Sequence, residues 1–370
     1  MKQLVFMGQK AQDWIFEGHR ISFFNPFDYE EKKTFFDAIN LEYAYRNKKP
    51  SYMKLLEEFK RNFQHVDVLV SNWINPFHPE WLIKHFSNTT KIYGLIDDPA
   101  VTYNRTISQI WAFDGAYYVS PSYDEFFSMP DILRQWGISH IHWMPHSSWR
   151  YKDDFGKAHI KKVNTSWNHR DRDIIHVGRS YFSKLEPFRK MKKALGKNIH
   201  FFGRWQAKGY IGYAAPLKNF QEKIRKQEWQ NPGKALYFFP YSVKPISEEK
   251  KRELYLRYKI GFNMHYYNQR DIGNSRMYET ALFGMMQLCD KAAKGMHEHI
   301  FKPDVEIVYY DNIKDAIDKA KFYLKHDNLR EKIAKAGFER AIHEYNPNKC
   351  FIDLLYWAVN VPRKSKVIEF

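Results

Sequence analysis

Cysteine is almost missing from this 370-residue chain, which has only Cys289 and Cys350. Two cysteines so placed make neither a disulfide framework nor a cysteine-based metal site, and they point to a reducing compartment. Also missing is any run of about 18 apolar residues, so no segment is expected to span a membrane. The opening MKQLVFMGQ lacks the apolar length and small-residue cleavage site of a signal peptide. No internal repeat or low-complexity segment occurs. Acidic residues are scarce against basic ones: 42 Asp and Glu face 59 Lys and Arg, a formal charge of +17. Solubility asks only roughly 2–8 charges of a small domain. The excess therefore calls for a polyanionic partner, either nucleic acid or an anionic membrane surface. The bland alternative is a lysine-rich composition with no partner behind it.

What is present suits a globular α/β protein. Hydrophobic residues at 44% and aromatics at 18% supply ample core, and the length suits two ordinary domains. The organising stretch runs from Lys259 to Asp311. Ile260 to Met264 reads as a buried strand and is followed by a polar loop with Asp271, Gly273 and Asn274. Arg276 to Phe283 reads as a helix, with Met277, Ala281 and Leu282 on one face. Gly284 stands where a left-handed cap is wanted. Met285 to Cys289 and Glu306 to Tyr310 are two further strands. Strand, loop, helix, strand is the unit of an open α/β sheet, which binds ligands at strand carboxyl ends beside helix N-termini. Asp271 and Glu279, eight positions apart, flank such a place.

In these residues the chain resembles the nucleotide-sugar half of a GT-B glycosyltransferase, nearest the spore-maturation CgeB-like group. That group shows an Arg, then a Glu at the head of an "E-alacG" run, then "Ev..yd". Here these are Arg276, Glu279 to Gly284, and Glu306 to Asp311. Related retaining enzymes carry two acids separated by seven residues, and this chain has Asp271-x7-Glu279, with Asp in place of the first Glu. The resemblance implies that Glu279 holds the ribose hydroxyls and that Asp271 lies near the sugar. A carboxylate, which only accepts hydrogen bonds, suits two vicinal hydroxyls. The bland alternative is that Glu279 is an exposed first-turn carboxylate complementing the helix dipole.

The rest of the chain fits two α/β halves. Leu4 to Met7 is a strand with Gly8 at its end, and Gly8 is an acceptor-side candidate or simply a turn glycine. Val66 to Val70 and Lys91 to Ile96 are buried strands, the second ending in Asp97-Asp98-Pro99. The resembled group has a similar "DDP". Either acid is a candidate general base, since adjacent like charges raise one pKa of the pair; the competing reading is an Asx turn before Pro99. The strand Ile138 to Met144 leads to Pro145 and His146, a minor acceptor-side candidate. Asp173 to Val177 opens the second half with Gly178-Arg179 and Lys184, matching the "GR....K" that clamps a donor diphosphate in the resembled enzymes. Arg offers a fork to phosphate oxygens and Lys a point charge. Arg276, Asn274 and Gly273 complete the donor-binding candidates.

The expected fold is α/β of the GT-B type, with two Rossmann-like domains facing a cleft. The expected ranges are 1–150 for an acceptor-binding domain, 151–172 for a linker, 173–345 for the nucleotide-sugar domain, and 346–370 for a helix crossing back to the first domain and a tail. The expected activity is metal-independent, retaining transfer from a nucleotide-sugar, with a UDP-sugar favoured and no bound cofactor. Three acceptor readings compete. A hydroxymethylated base in DNA accounts for the charge, and basic stripes such as Arg189, Lys190, Lys192, Lys193 and Lys197, or Lys157, Lys161 and Lys162, would track phosphates. A cell-envelope or lipid-linked glycan would put the charge against an anionic leaflet. A non-catalytic nucleic-acid-binding protein on a degenerate transferase fold is the third. The expected location is the cytoplasm of a bacterium or a phage-infected host. The sequence carries no signal of oligomeric state.

Overall fold

A computed structural model describes residues 1–8, 13–35, 38–71, 75–95, 108–119, 128–145, 167–178, 182–203, 246–265, 274–291 and 297–364. The described residues form two compact units. The first holds those up to Pro145 together with 344–364, and the second holds those from Trp167 to His343.

The first unit is built on strands β1 (Gln3–Met7), β2 (Trp14–Phe16), β3 (His19–Phe24), β4 (Val68–Val70), β5 (Thr90–Leu95), β6 (Gly115–Tyr118) and β7 (His140–Trp143). They make one seven-stranded sheet in the order β2-β3-β1-β4-β5-β6-β7. All neighbours are parallel except the β2–β3 hairpin. Helices α1 (Ala38–Arg46), α2 (Pro50–Asn62), α3 (Pro79–His85) and α4 (Met129–Gln135) lie between the strands in sequence. The central strands β1, β4, β5 and β6 are buried on both faces, which is why they read as short, largely apolar runs rather than as alternations. Strand order reverses beside β1, so the carboxyl ends of β1 and β4 flank a topological switch point. Gly8 follows β1 there, with φ 152° and its N–H donated to Phe24 O at 2.9 Å.

The second unit has strands β8 (Arg172–Val177), β9 (Ile199–Phe202), β10 (Tyr258–Asn263), β11 (Met286–Asp290) and β12 (Val308–Tyr310). Its helices are α5 (Phe182–Leu195), α6 (Glu248–Arg257), α7 (Ser275–Leu282), α8 (His297–Ile300), α9 (Ile313–Lys325) and α10 (Asp327–Glu344). The five strands are parallel in the order β9-β8-β10-β11-β12. In chain order this is 2-1-3-4-5, a doubly wound arrangement whose switch point lies between β8 and β10. One face carries Ile174, Ile260, Phe262, Leu288 and Val308 against Phe188 and Met191 of α5 and Ala316 and Ala320 of α9.

A last helix, α11 (Pro347–Asn360), belongs to the first unit. Asn346 caps it with its side chain and Pro347 opens it. Cys350, Phe351, Leu354, Leu355 and Ala358 recur on one face and pack on Leu4, Phe6, Val68, Val70 and Ile92. Trp167 and Arg170 fall in the stretch expected to be a linker, yet both are packed into the second unit. Residues 151–166 lie outside the described residues.

Candidate functional site

The site is built around α7. Strand β10 runs into the second sheet's carboxyl edge, and Asn274 caps the helix by accepting Met277 N–H on its side chain at 3.3 Å. At the other end Gly284, at φ 68°, completes the expected left-handed cap. Gly284 N–H reaches Ala281 O at 2.8 Å and Met285 N–H reaches Thr280 O at 3.1 Å, the paired bonds of a Schellman motif. Carbonyls left beyond the helix are taken by side chains from the start of the unit. Trp167 Nε1 donates to Gly284 O at 3.0 Å. Arg170 donates to Phe283 O and Tyr258 O, and to Tyr255 O at 2.9 Å. Burial pushes the Arg170 guanidinium down to about 10.

At the switch point the start of α7 meets the end of β8. Arg276 sends Nη1 to Val177 O at 3.3 Å and Nε to Asn263 Oδ1 at 3.2 Å. Its guanidinium lies so close over Gly178 that a Cβ there would sit 1.8 Å from Nη1. A side chain at 178 would have to displace the guanidinium, because the arginine occupies the space it would need. Lys184, in the first turn of α5, is 1% exposed and donates its ammonium to Met264 O at the end of β10. Burial, reinforced by Arg276, holds Lys184 well below the usual lysine range, and Asp290 works against this. Two cations are thus held on one strand edge at an electrostatic cost that a bound dianion would relieve.

Asn263, His265 and Asp290 complete the edge. Asn263 and Asn274 exchange side-chain hydrogen bonds at 3.1 Å. His265 donates its backbone N–H to both carboxylate oxygens of Asp290, at 3.0 and 2.9 Å, and its Nδ1 lies 2.8 Å from Oδ1. Burial would raise Asp290, but its interactions with His265 and the charge of Lys184 together outweigh this, and the carboxyl is held below its ordinary value. Sequence reasoning missed all three residues. The available signal was a polar residue closing each apolar strand, which in an open α/β sheet marks the ligand edge.

Glu279 is neither exposed nor in the first turn's solvent face. The whole of α7 from Met277 to Leu282 is buried, and Glu279, 2% exposed, pairs with Lys251 of α6 at 3.0 Å. The one-face reading of this helix was too narrow, because α7 is enclosed on all sides. Asp271, Gly273 and Arg179, like Asp97, Asp98 and His146, lie outside the described residues. Of the basic stripe on α5, Arg189 and Lys190 pair with Glu186 at 2.8 and 3.8 Å, and Lys192 donates to Ile199 O at 2.9 Å. The other stripe, Lys157, Lys161 and Lys162, lies outside the described residues.

Metal-binding atoms also meet here. One from each of His265, Cys289 and Asp290 lie within 4.8 Å of one another. They are already bonded among themselves and to Asn263, and burial pushes the Cys289 thiol well up. With Lys184 and Arg276 alongside, the local charge favours an anion over a cation.

Comparisons with known proteins bear on the fold and on part of the second unit. A family model described as glycosyl transferase-like matches residues 186–355, a span that includes Lys184's helix from Glu186 onward and all of α7. Curated protein sequences give no match. Among solved structures, an alpha-glucosyltransferase in complex with UDP and a 13-mer DNA containing a HMU base matches at a TM-score of 0.59 with 12% identity, over 97% of this chain and 100% of that one. A UDP-forming alpha,alpha-trehalose-phosphate synthase from Burkholderia vietnamiensis matches at 0.57 with 10% identity, over 97% and 99%. TarM matches at 0.51 with 13% identity, over 83% of this chain and 58% of its own. The chain thus has the mixed α/β, two-unit fold of the GT-B glycosyltransferases, with a glycosyl transferase-like match across much of its second unit.

Proposed function

We propose that the protein transfers a sugar from a nucleotide-sugar, a UDP-sugar by preference, to a hydroxyl acceptor. The observation that carries this reading is the meeting of Lys184, Arg276 and the capped start of α7 at the switch point of a 2-1-3-4-5 sheet. Two cations and a helix N-terminus at one strand edge suit a diphosphate, and they stabilise the negative charge that builds on it as the sugar leaves. Arg179, next to Gly178 in sequence, would add a fork to the phosphates. Glu279, fixed by Lys251 through one oxygen, would offer the other to the ribose. Gly273 and Asp271 would line the sugar end. In this reading the leaving diphosphate is neutralised by side chains and amides, so the reaction needs no metal. The Asp271 and Glu279 pair suits a retaining outcome.

The first unit would bring the acceptor, with Gly8 and His146 on its ligand edge and Asp97 or Asp98 as base. We favour a hydroxymethylated base in DNA. The +17 charge supports it, and so does the similarity over the whole chain to an enzyme solved with DNA. A base in a duplex must be flipped out, at a cost of a few kcal/mol. A second reading, a sugar or glycan acceptor, is supported by the equally extensive similarity to a trehalose-phosphate synthase. No helix among the described residues is long and apolar enough to cross a membrane, and two buried free cysteines suit work in the cytoplasm.

The test is calorimetry with UDP, followed by transfer from UDP-glucose to DNA carrying hydroxymethylated pyrimidines. Micromolar UDP binding that Lys184→Met weakens by tenfold or more supports the donor site. No UDP binding by the folded protein refutes the reading. Transfer to a free sugar but not to DNA would replace the favoured acceptor with the second.

A further inference from the structure

We propose that His265 is a positioning residue of the donor site: held by Asp290, its ring fixes the Asn274 amide at the start of α7 and so sets where that helix presents its donors to a diphosphate. The proposal rests on the glycosyltransferase reading above.

His265 is buried at the end of β10, and Asp290 stands beside it at the end of β11. The carboxylate takes the residue from two sides, through the backbone N–H and through Nδ1. On the far side of the ring, Asn274 N–H donates to Nε2 at 3.4 Å. Those partners leave one arrangement of the ring proton. Asp290 can only accept, so Nδ1 carries the hydrogen. The Asn274 amide can only donate, so Nε2 is a bare lone pair. The ring therefore ties together the two chain ends flanking residues 266–273, across the segment between β10 and α7.

The consequence runs on into the cationic part of the site. Asn274 caps α7 and is paired with Asn263, whose Oδ1 also receives Arg276 Nε. A displaced Asn274 would loosen the Asn263 pairing and with it the seat of the Arg276 guanidinium. The geometry also explains why the residue is histidine. An asparagine carries a nitrogen to the place of Nδ1 but stops short of Asn274. A glutamine carries an oxygen to the place of Nε2 but presents no nitrogen to Asp290. Only the imidazole spans both.

His265→Asn and His265→Gln therefore separate the two bonds. Loss of one hydrogen bond, about 1 kcal/mol, corresponds to roughly a fivefold change in affinity. His265→Asn is expected to weaken UDP binding about fivefold and to raise KM for the sugar donor with little change in kcat. His265→Gln is expected to stay within about twofold of the parent. Equal losses in both variants, or none in either, overturn the proposal, because the ring would then serve only packing. A parent protein that fails to bind UDP removes the donor site and the proposal together, whereas a parent that binds UDP while the asparagine variant binds as well removes the proposal alone. Hydrogen exchange in the unsubstituted protein gives a check free of folding effects. The Asn274 amide is expected to be protected before UDP is added, and fast exchange there also overturns the proposal.

Discussion

Substituting Gly178 by alanine should disable the site through one side chain. The backbone at 178 is not left-handed, so alanine can take up its conformation. The obstacle is Arg276: the three atoms nearest a Cβ at 178 are Nη1 at 1.8 Å, Cζ at 2.7 Å and Nε at 3.3 Å, all of one guanidinium. Real Cβ contacts essentially never fall below 3.0 Å, so the guanidinium must retreat by more than an ångström. Such a shift takes it off Val177 O and Asn263 Oδ1. Two bonds from a charged donor, at roughly 1.5–3 kcal/mol each, bound the loss at about 3–6 kcal/mol, and part of that returns as water solvates the displaced group. A net cost of about 2–3 kcal/mol is expected, with UDP affinity falling roughly 10- to 100-fold as the phosphate contact moves. The assay is a double-mutant cycle read by calorimetry and thermal melting. Gly178→Ala in an Arg276→Ala background should add almost nothing, since the clashing group is gone. Additive losses in the two variants would refute the reasoning, because the glycine would then matter for something other than room for the arginine.

Other consequences can be checked in the same preparations. Lys184 is held well below the usual lysine range by burial and by Arg276, and a bound diphosphate should push it back up. UDP binding should therefore take up protons at alkaline pH, below 10.5, where the free site has begun to lose its proton. Calorimetry in buffers of different ionisation enthalpy reads this, and a heat independent of buffer across that range counts against it. The same depression means that stability gains as pH rises from the folded value of Lys184 towards the unfolded one, because the buried charge is unfavourable below it. Arg170→Met should strip three carbonyls of their donor and lower stability by about 3 kcal/mol, seen as an earlier urea midpoint. Leu354→Ala, in the fully buried face of α11, should cost about 2–5 kcal/mol in the first unit and leave UDP affinity unchanged. If DNA is the acceptor, binding should fall steeply with log salt, and Lys193→Glu with Lys197→Glu should flatten that slope if α5 faces the phosphates.

Much of the fold was legible because parallel strands buried on both faces announce themselves as short apolar runs. Leu4 to Met7, Val66 to Val70 and Met285 to Cys289 each fall on or within a residue or two of a strand. The Gly284 cap was legible for a different reason, since few residues other than glycine accept φ 68° at a helix end. The hairpin strand β2 was missed because it is only three residues long and wholly apolar, so that its exposed Ile15 between half-buried Trp14 and Phe16 leaves no polar–apolar alternation in the sequence. Lys184 and Arg276 were singled out through their motif positions, and the structure brings both to the same strand edge. Glu279 was singled out from its motif position, but its burial against Lys251 depends on a partner 28 residues earlier, which no local pattern reveals. The Asp290–His265 pair escaped for the same reason. The two residues are 25 apart in sequence and meet only because β10 and β11 are neighbours.

The placement of α11 also bears on how the protein is made. The strands β1, β4 and β5 leave the ribosome before the whole of the second unit, but the helix that covers Leu4, Phe6, Val68 and Ile92 follows that unit. The second unit, whose described residues end at His343, is complete before that helix appears. Until α11 emerges, then, the sheet of the first unit carries an uncovered greasy face, the kind of surface that recruits chaperones or associates with its own copies. Stalled or truncated products ending near residue 345 should therefore be clients for aggregation and degradation rather than merely shortened enzymes. The first unit can settle only once α11 has reached its sheet.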